Sequence, residues 1–194
     1  MKKTLFVLFV SFMSVSAFSQ SLSVGVKAGM NIANQNFSGS GFSLDTKALI
    51  GFHAGAYATV MFSENIGIQP EVLYSAQGSK VDFSGSSTSY KFNYINVPVL
   101  FRYNVNKLLS FHAGPQIGFL ASAKAKDDSG SSDIKSEAKG SDFSLAVGGT
   151  IDLPMKLNLT ARYAFGLTNI NNDGSGTTKN GNFQISVGYK LFGK

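Results

Sequence analysis

Ile50-Gly51-Phe52-His53-Ala54-Gly55-Ala56-Tyr57-Ala58-Thr59-Val60-Met61-Phe62 is the stretch whose reading decides the fold. Ile50, Phe52, Ala54, Ala56, Ala58, Val60 and Phe62 share one parity, and Gly51, His53, Gly55, Tyr57 and Thr59 the other. Successive side chains of a strand point to opposite faces, so period two means a strand with one apolar and one more polar face. Residues 22–33 repeat it: Val24, Val26, Ala28, Met30 and Ile32 against Gly25, Lys27, Gly29 and Asn31.

The pattern returns near 66–78, 92–103, 108–122, 142–153, 157–168 and 182–192, which makes eight strands. The connectors alternate in length. Those at 34–47, 79–91, 123–141 and 169–181 are long and rich in Gly, Ser, Asn, Asp and Lys, whereas 63–65, 104–107 and 154–156 are short. Consecutive strands are therefore hairpins. An even number of antiparallel strands with short turns at one end and long loops at the other describes an all-β, eight-stranded, antiparallel up-and-down transmembrane β-barrel. Both termini then fall on the short-turn, periplasmic side, and the four long connectors are external loops.

Periodicity alone does not say which face meets lipid, because a soluble lipocalin-like barrel has the same alternation turned inside out. Glycine placement decides. Gly25, Gly29, Gly51, Gly55, Gly67, Gly114, Gly118, Gly148, Gly166 and Gly188 lie on the more polar face. In the narrow interior of an eight-stranded barrel they make room for Tyr57, Arg102, Arg162 and Lys190, whereas on an outer face they would only weaken strands. The polar face is assigned to the interior, with Val26, Val60, Val147 and Val187 toward lipid. Parity then suggests two interior charge pairs, Glu71 with Arg102 and Asp152 with Arg162. Phe62, Tyr103 and Phe111 near the short turns, and Phe119, Phe143, Phe165 and Phe183 toward the long ones, supply the aromatic girdles. Pro70, Pro98 and Pro115 each remove a ladder donor and point to a bulge or break, with a one-residue slip of faces around 92–99.

The chain has 194 residues and no cysteine, which excludes disulfides and a lipid-modified cysteine. Residues 1–20 read as a signal peptide: Lys2 and Lys3, an apolar run from Leu5 to Val15, and Ala17-Phe18-Ser19 as the cleavage site. The apolar run is too short to span a hydrocarbon core of about 30 Å. Residues 21–194 form the barrel domain. The net charge of +6, less the two signal lysines, leaves +4 on scattered basic residues, with no stripe or motif for nucleic acid.

Five segments carry a family resemblance. Gly67-Ile68-Gln69-Pro70-Glu71-Val72-Leu73-Tyr74-Ser75-Ala76-Gln77-Gly78 resembles the third strand of the PorT-like outer-membrane β-barrel family of Gram-negative bacteria, and Tyr94-Ile95-Asn96-Val97-Pro98-Val99-Leu100 its fourth. Ala113-Gly114-Pro115, Arg162-Tyr163-Ala164-Phe165-Gly166-Leu167-Thr168-Asn169-Ile170 and Val187-Gly188-Tyr189-Lys190-Leu191-Phe192 resemble later ones. The resemblance implies an outer-membrane barrel without assigning an activity. Phe192 corresponds to the terminal aromatic that the barrel-assembly machinery recognises.

No catalytic constellation accompanies the barrel. His53 and His112 fall on the inward face without HExxH, GxSxG or CxxC, and read as interior packing. Asp127, Asp128, Asp133 and Glu137 fail the EF-hand spacing and are interspersed with lysines. No metal, cofactor or catalytic site is expected, and no constellation supports a membrane-embedded hydrolase or acyltransferase. The expected function is a structural or interaction role in the outer membrane, with lipid as the constant partner and a surface protein as an external one. The alternatives are a narrow pore, a carrier of a small apolar ligand, or a soluble lipocalin-like binder.

Overall fold

The computed structural model describes residues 21–39, 42–45, 47–83, 86–127, 130–170 and 176–193. The expected signal segment, 1–20, lies outside them. The strands are β1 (Ser21–Gly39), β2 (Phe42–Asp45), β3 (Lys47–Met61), β4 (Ile66–Phe83), β5 (Ser86–Asn104), β6 (Leu109–Asp127), β7 (Gly130–Asp133), β8 (Ser141–Asp152), β9 (Leu157–Gly166) and β10 (Thr177–Phe192). β2 and β7 are short additions beside β1 and β6; the other eight form the barrel. Each pairs antiparallel with its neighbours, and β10 returns to β1 through a ladder that includes Val26↔Tyr189 and Asn31↔Gln184. Closure leaves no open edge in the barrel wall, which is what a hydrocarbon environment demands of backbone N–H and C=O groups.

The faces are inverted relative to a soluble protein. Lys27, Asn31, His53, Glu71, Arg162 and Gln184 are buried inside, whereas Val26, Phe52, Val147, Ile185 and Val187 are exposed on the outer wall. A water-facing wall of this kind would be a very large apolar patch; against acyl chains it is the expected surface. Phe62, Tyr103 and Phe111 are exposed toward the short-turn end, and Phe119, Phe143, Phe165 and Phe183 toward the other. The interior is not uniformly polar, because Leu73, Tyr94 and Leu100 fill it too.

Three turns close the short end. Asn106 Oδ1 accepts from the N–H groups of Leu108 and Leu109, both at 2.8 Å. Ser63 Oγ accepts from Ile66 N–H at 3.1 Å. The β8–β9 turn places Met155 and Lys156 at φ 63° and 65°, in the left-handed region.

Two expectations need correction. Among the described residues the long connectors are mostly strand: β4 and β5 pair out to Phe83↔Ser86, and β1 reaches Gly39. Polar residues on both faces remove the amphipathic signal without removing the ladder. Beyond Gly78, where the alternating segment ends, β4 runs five residues further to Phe83, ~17 Å of strand. A register shift does fall within 92–99, but the strand that slips is β6 and not β5. Pairing lapses between Pro70↔Val99 and Leu73↔Asn96 and resumes in the same register, so the proline breaks the ladder without a bulge. The shift falls between Asn93↔Ser122 and Tyr94↔Leu120, where β6 carries the extra residue. Phe92, Tyr94, Asn96 and Pro98 all face inward.

Candidate functional site

The inward faces meet in a polar network across the middle of the barrel. Glu71 on β4 is its centre. Lys27 Nζ donates to Glu71 Oε1 at 2.7 Å, Gln69 Nε2 donates to the same oxygen at 2.7 Å, and Arg162 Nη1 donates to Oε2 at 3.0 Å. Arg162 Nε continues to Gln184 Oε1 at 2.9 Å, and Gln184 Nε2 to Asn31 Oδ1 at 3.1 Å. The three charged side chains are 1%, 0% and 1% exposed for Lys27, Glu71 and Arg162. At that level the lumen is filled.

A second centre lies nearer the short turns. Arg102 Nη2 is bonded to Asp152 Oδ2, and its Nε donates to Asn104 Oδ1 at 3.0 Å. Gln69 joins the two centres, since its Oε1 accepts from Arg102 Nη1 at 3.0 Å and from Thr59 Oγ1 at 3.1 Å.

All four charges singled out by parity thus line the interior, but with exchanged partners. Glu71 meets Arg162 and not Arg102; Asp152 meets Arg102 and not Arg162. Register is the reason. Arg102 lies opposite Gly67, and Arg162 opposite Gly148, so each expected pair is displaced by four residues, ~13 Å along the ladder. Parity sets Lys27 on the inward face and names no partner for it. It lies opposite Gly55, whose missing side chain lets the lysine pass over β3 to Glu71 on β4. Gln69 has no signal in sequence beyond its parity.

His53 Nδ1 is 2.8 Å from Asn31 Oδ1, and among the described residues neither its Nε2 nor either nitrogen of His112 has a hydrogen-bond partner. No cluster of three or more His, Cys, Asp or Glu that could hold a metal occurs among the described residues. Asp128 and residues 171–175 of the acidic connectors lie outside them.

Below the network the lumen opens into a cavity of about 330 Å³ at the short-turn end. Tyr57, Thr59, Arg102, Asp152, Asn158 and Lys190 are among its walls, and its lining is polar apart from Met61 and the Tyr57 ring. Gly25 matters here: a Cβ on it would lie 2.5 Å from the Tyr57 hydroxyl, which receives Asn158 Nδ2 at 2.8 Å. At the opposite end Phe92, Tyr94, Leu120 and Ala123 form an apolar cluster, against which Ile134 and Ala138 pack.

A closed barrel with an apolar outer wall and a charge-paired interior defines a transmembrane β-barrel of the outer-membrane type. The chain belongs to the family described as outer membrane protein beta-barrel domain, whose model matches residues 18–172. No curated protein matches the sequence. Among solved structures, the barrel is similar to Ail, the attachment invasion locus protein of Yersinia pestis, solved in complex with the heparin analogue sucrose octasulfate; identity is 18%, the match covers 88% of this chain and 99% of Ail, and the TM-score is 0.53. It is also similar to Neisserial surface protein A, at 16% identity over 90% of this chain and 100% of that one, with a TM-score of 0.55. At these identities the likeness is one of fold.

Proposed function

We propose that this protein is a non-catalytic interaction barrel, exported by a signal peptide at residues 1–20 and anchored in the outer membrane, which presents the polar walls and four external connectors around 34–47, 79–91, 123–141 and 169–181 to a surface partner. The observation that carries this reading is the filled middle of the lumen. A column blocked by Lys27, Glu71 and Arg162 offers no continuous water path for a pore, so the surface available for specific work is the wall beyond the lipid belt. The attachment role in the name of Ail agrees with this reading.

In this arrangement the short turns lie in the periplasm, and the mature barrel begins near Ser21. Phe192 near the end of β10 is presented to the barrel-assembly machinery, and the motifs of β4, β5 and β9 favour the PorT-like branch of outer-membrane barrels. Protease added to intact cells tests the arrangement. Cleavage within 123–141, with the 63–65 turn protected until the membrane is opened, is the expected pattern. Cleavage at 63–65 in intact cells overturns the orientation, and recovery of the native protein from soluble periplasm without detergent overturns the membrane reading.

A further inference from the structure

We propose that the cavity at the short-turn end binds a small hydroxylated anion, of the class of a sugar phosphate or sugar acid, with Lys190 as its charge anchor. The cavity brings three cations, Arg102, Lys107 and Lys190, together with two carboxylates, Asp152 and Glu64, which leaves one positive charge in excess. Arg102 is already committed to Asp152. Glu64 and Lys107 are exposed at the mouth, where water screens them. Lys190 differs from all of these. It is half-buried on the inward face of β10, lines the cavity, and has no hydrogen-bond or ion-pair partner among the described residues.

Its surroundings set the rest of the ligand. Lys190 lies opposite Gly25, and the Tyr57 ring fills the space over that glycine, its hydroxyl 2.5 Å from where a Cβ would stand, so the phenol reaches across β1 to the lysine's side of the cavity. Ser23, Thr59, Thr160 and Asn158 are buried around it and supply hydroxyl and amide groups. Thr59, Asn158 and Thr160 each make one bond within the protein, and an apolar guest would strip their remaining lone pairs and amide hydrogen, Ser23 and the Lys190 ammonium of water without replacing it, which is costly. A molecule that is itself hydroxylated replaces them, and an anionic group on it gives Lys190 the charge-assisted bond it lacks. A volume of about 330 Å³ suits a single phosphorylated or oxidised sugar unit and falls at the small end of ligand pockets.

The experiment uses the purified protein in phospholipid nanodiscs, open to solvent at both ends, so its outcome is independent of orientation and of any surface partner. Glucose 6-phosphate, glucuronate, glucose and inorganic phosphate are titrated in turn. Binding is read by calorimetry and by the backbone amide shifts of Tyr57, Thr59 and Lys190. Glucose 6-phosphate or glucuronate is expected to bind more tightly than glucose or phosphate and to move those three signals. Lys190→Gln is expected to weaken that binding about tenfold, Lys190→Arg to restore most of it, and Lys156→Gln, at the same end but outside the cavity, to leave it unchanged. Heat-modifiable gel migration confirms that each variant keeps the barrel. The proposal is overturned if none of the probes shifts the cavity signals, if glucose binds as tightly as its phosphate, or if Lys190→Gln has no more effect than Lys156→Gln.

Discussion

The middle of the lumen and the wall beyond the lipid belt are built from the same strands, yet they use polar residues in opposite ways. In the middle, Glu71 is held by two cations and an amide in a space that water does not reach, so its charge has only those partners. On the projecting wall Lys91 and Lys124 lie directly opposite each other across β5 and β6, both exposed. A like-charged cross-strand pair is unfavourable, but there the solvent screens it. The same ladder therefore tolerates very different side chains according to what surrounds it, and substitution costs should fall steeply from the centre outward.

The largest effect is expected at Glu71. Replacing it with Ala leaves Lys27 and Arg162 buried without a counter-charge, at a cost of about 3–5 kcal/mol. Reversible unfolding in lipid vesicles measures it, and a change below 1 kcal/mol would remove the centre from the comparison. On the lipid side of the same wall, Val187 is 50% exposed, and Val187→Arg should cost about 2–4 kcal/mol, against a milder loss for Ser186→Asn facing the lumen. If Ser186→Asn proved the worse of the two, the faces would be exchanged.

Arg102→Gln should fall between the centre and the wall. Its partner Asp152 is 28% exposed and keeps access to water when the guanidinium is lost, so a loss of about 1.5–3 kcal/mol is expected in the same unfolding assay. Raising the salt concentration should shrink this difference more than that of Glu71→Ala. The smallest effect belongs to Lys124→Gln, which should stay within about 0.5 kcal/mol and lean toward stabilisation at low salt by relieving the contact with Lys91. A loss above 1 kcal/mol there would mean that the projecting wall is packed more like the centre.

Much of this architecture could be read from residues alone, and the reasons are local. A side chain's face depends only on its parity within a strand, so Ile50 to Phe62 suffices to define two walls, and repetition of that pattern counts the strands. Glycines on the polar parity, such as Gly25 and Gly148, identify which wall is inside because only a narrow interior uses the room they leave. Parity also places Lys27, Glu71, Arg102, Asp152 and Arg162 in the lumen.

What parity does not contain is height along the barrel axis. That height is a sum over every ladder between two residues, with register shifts at Val24/Gly25, Ala48/His53 and Asn93/Tyr94 entering along the way. The exchange of partners between Glu71 and Asp152 arises there, as does the passage of Lys27 over Gly55. The strands also outran their amphipathic signal, since a ladder needs backbone groups and not alternation, and toward the long-connector end polar residues occur on both faces. The cavity beside Lys190 depends on all of these together: side chains from seven of the barrel strands surround it, and only the closed barrel brings them to one level.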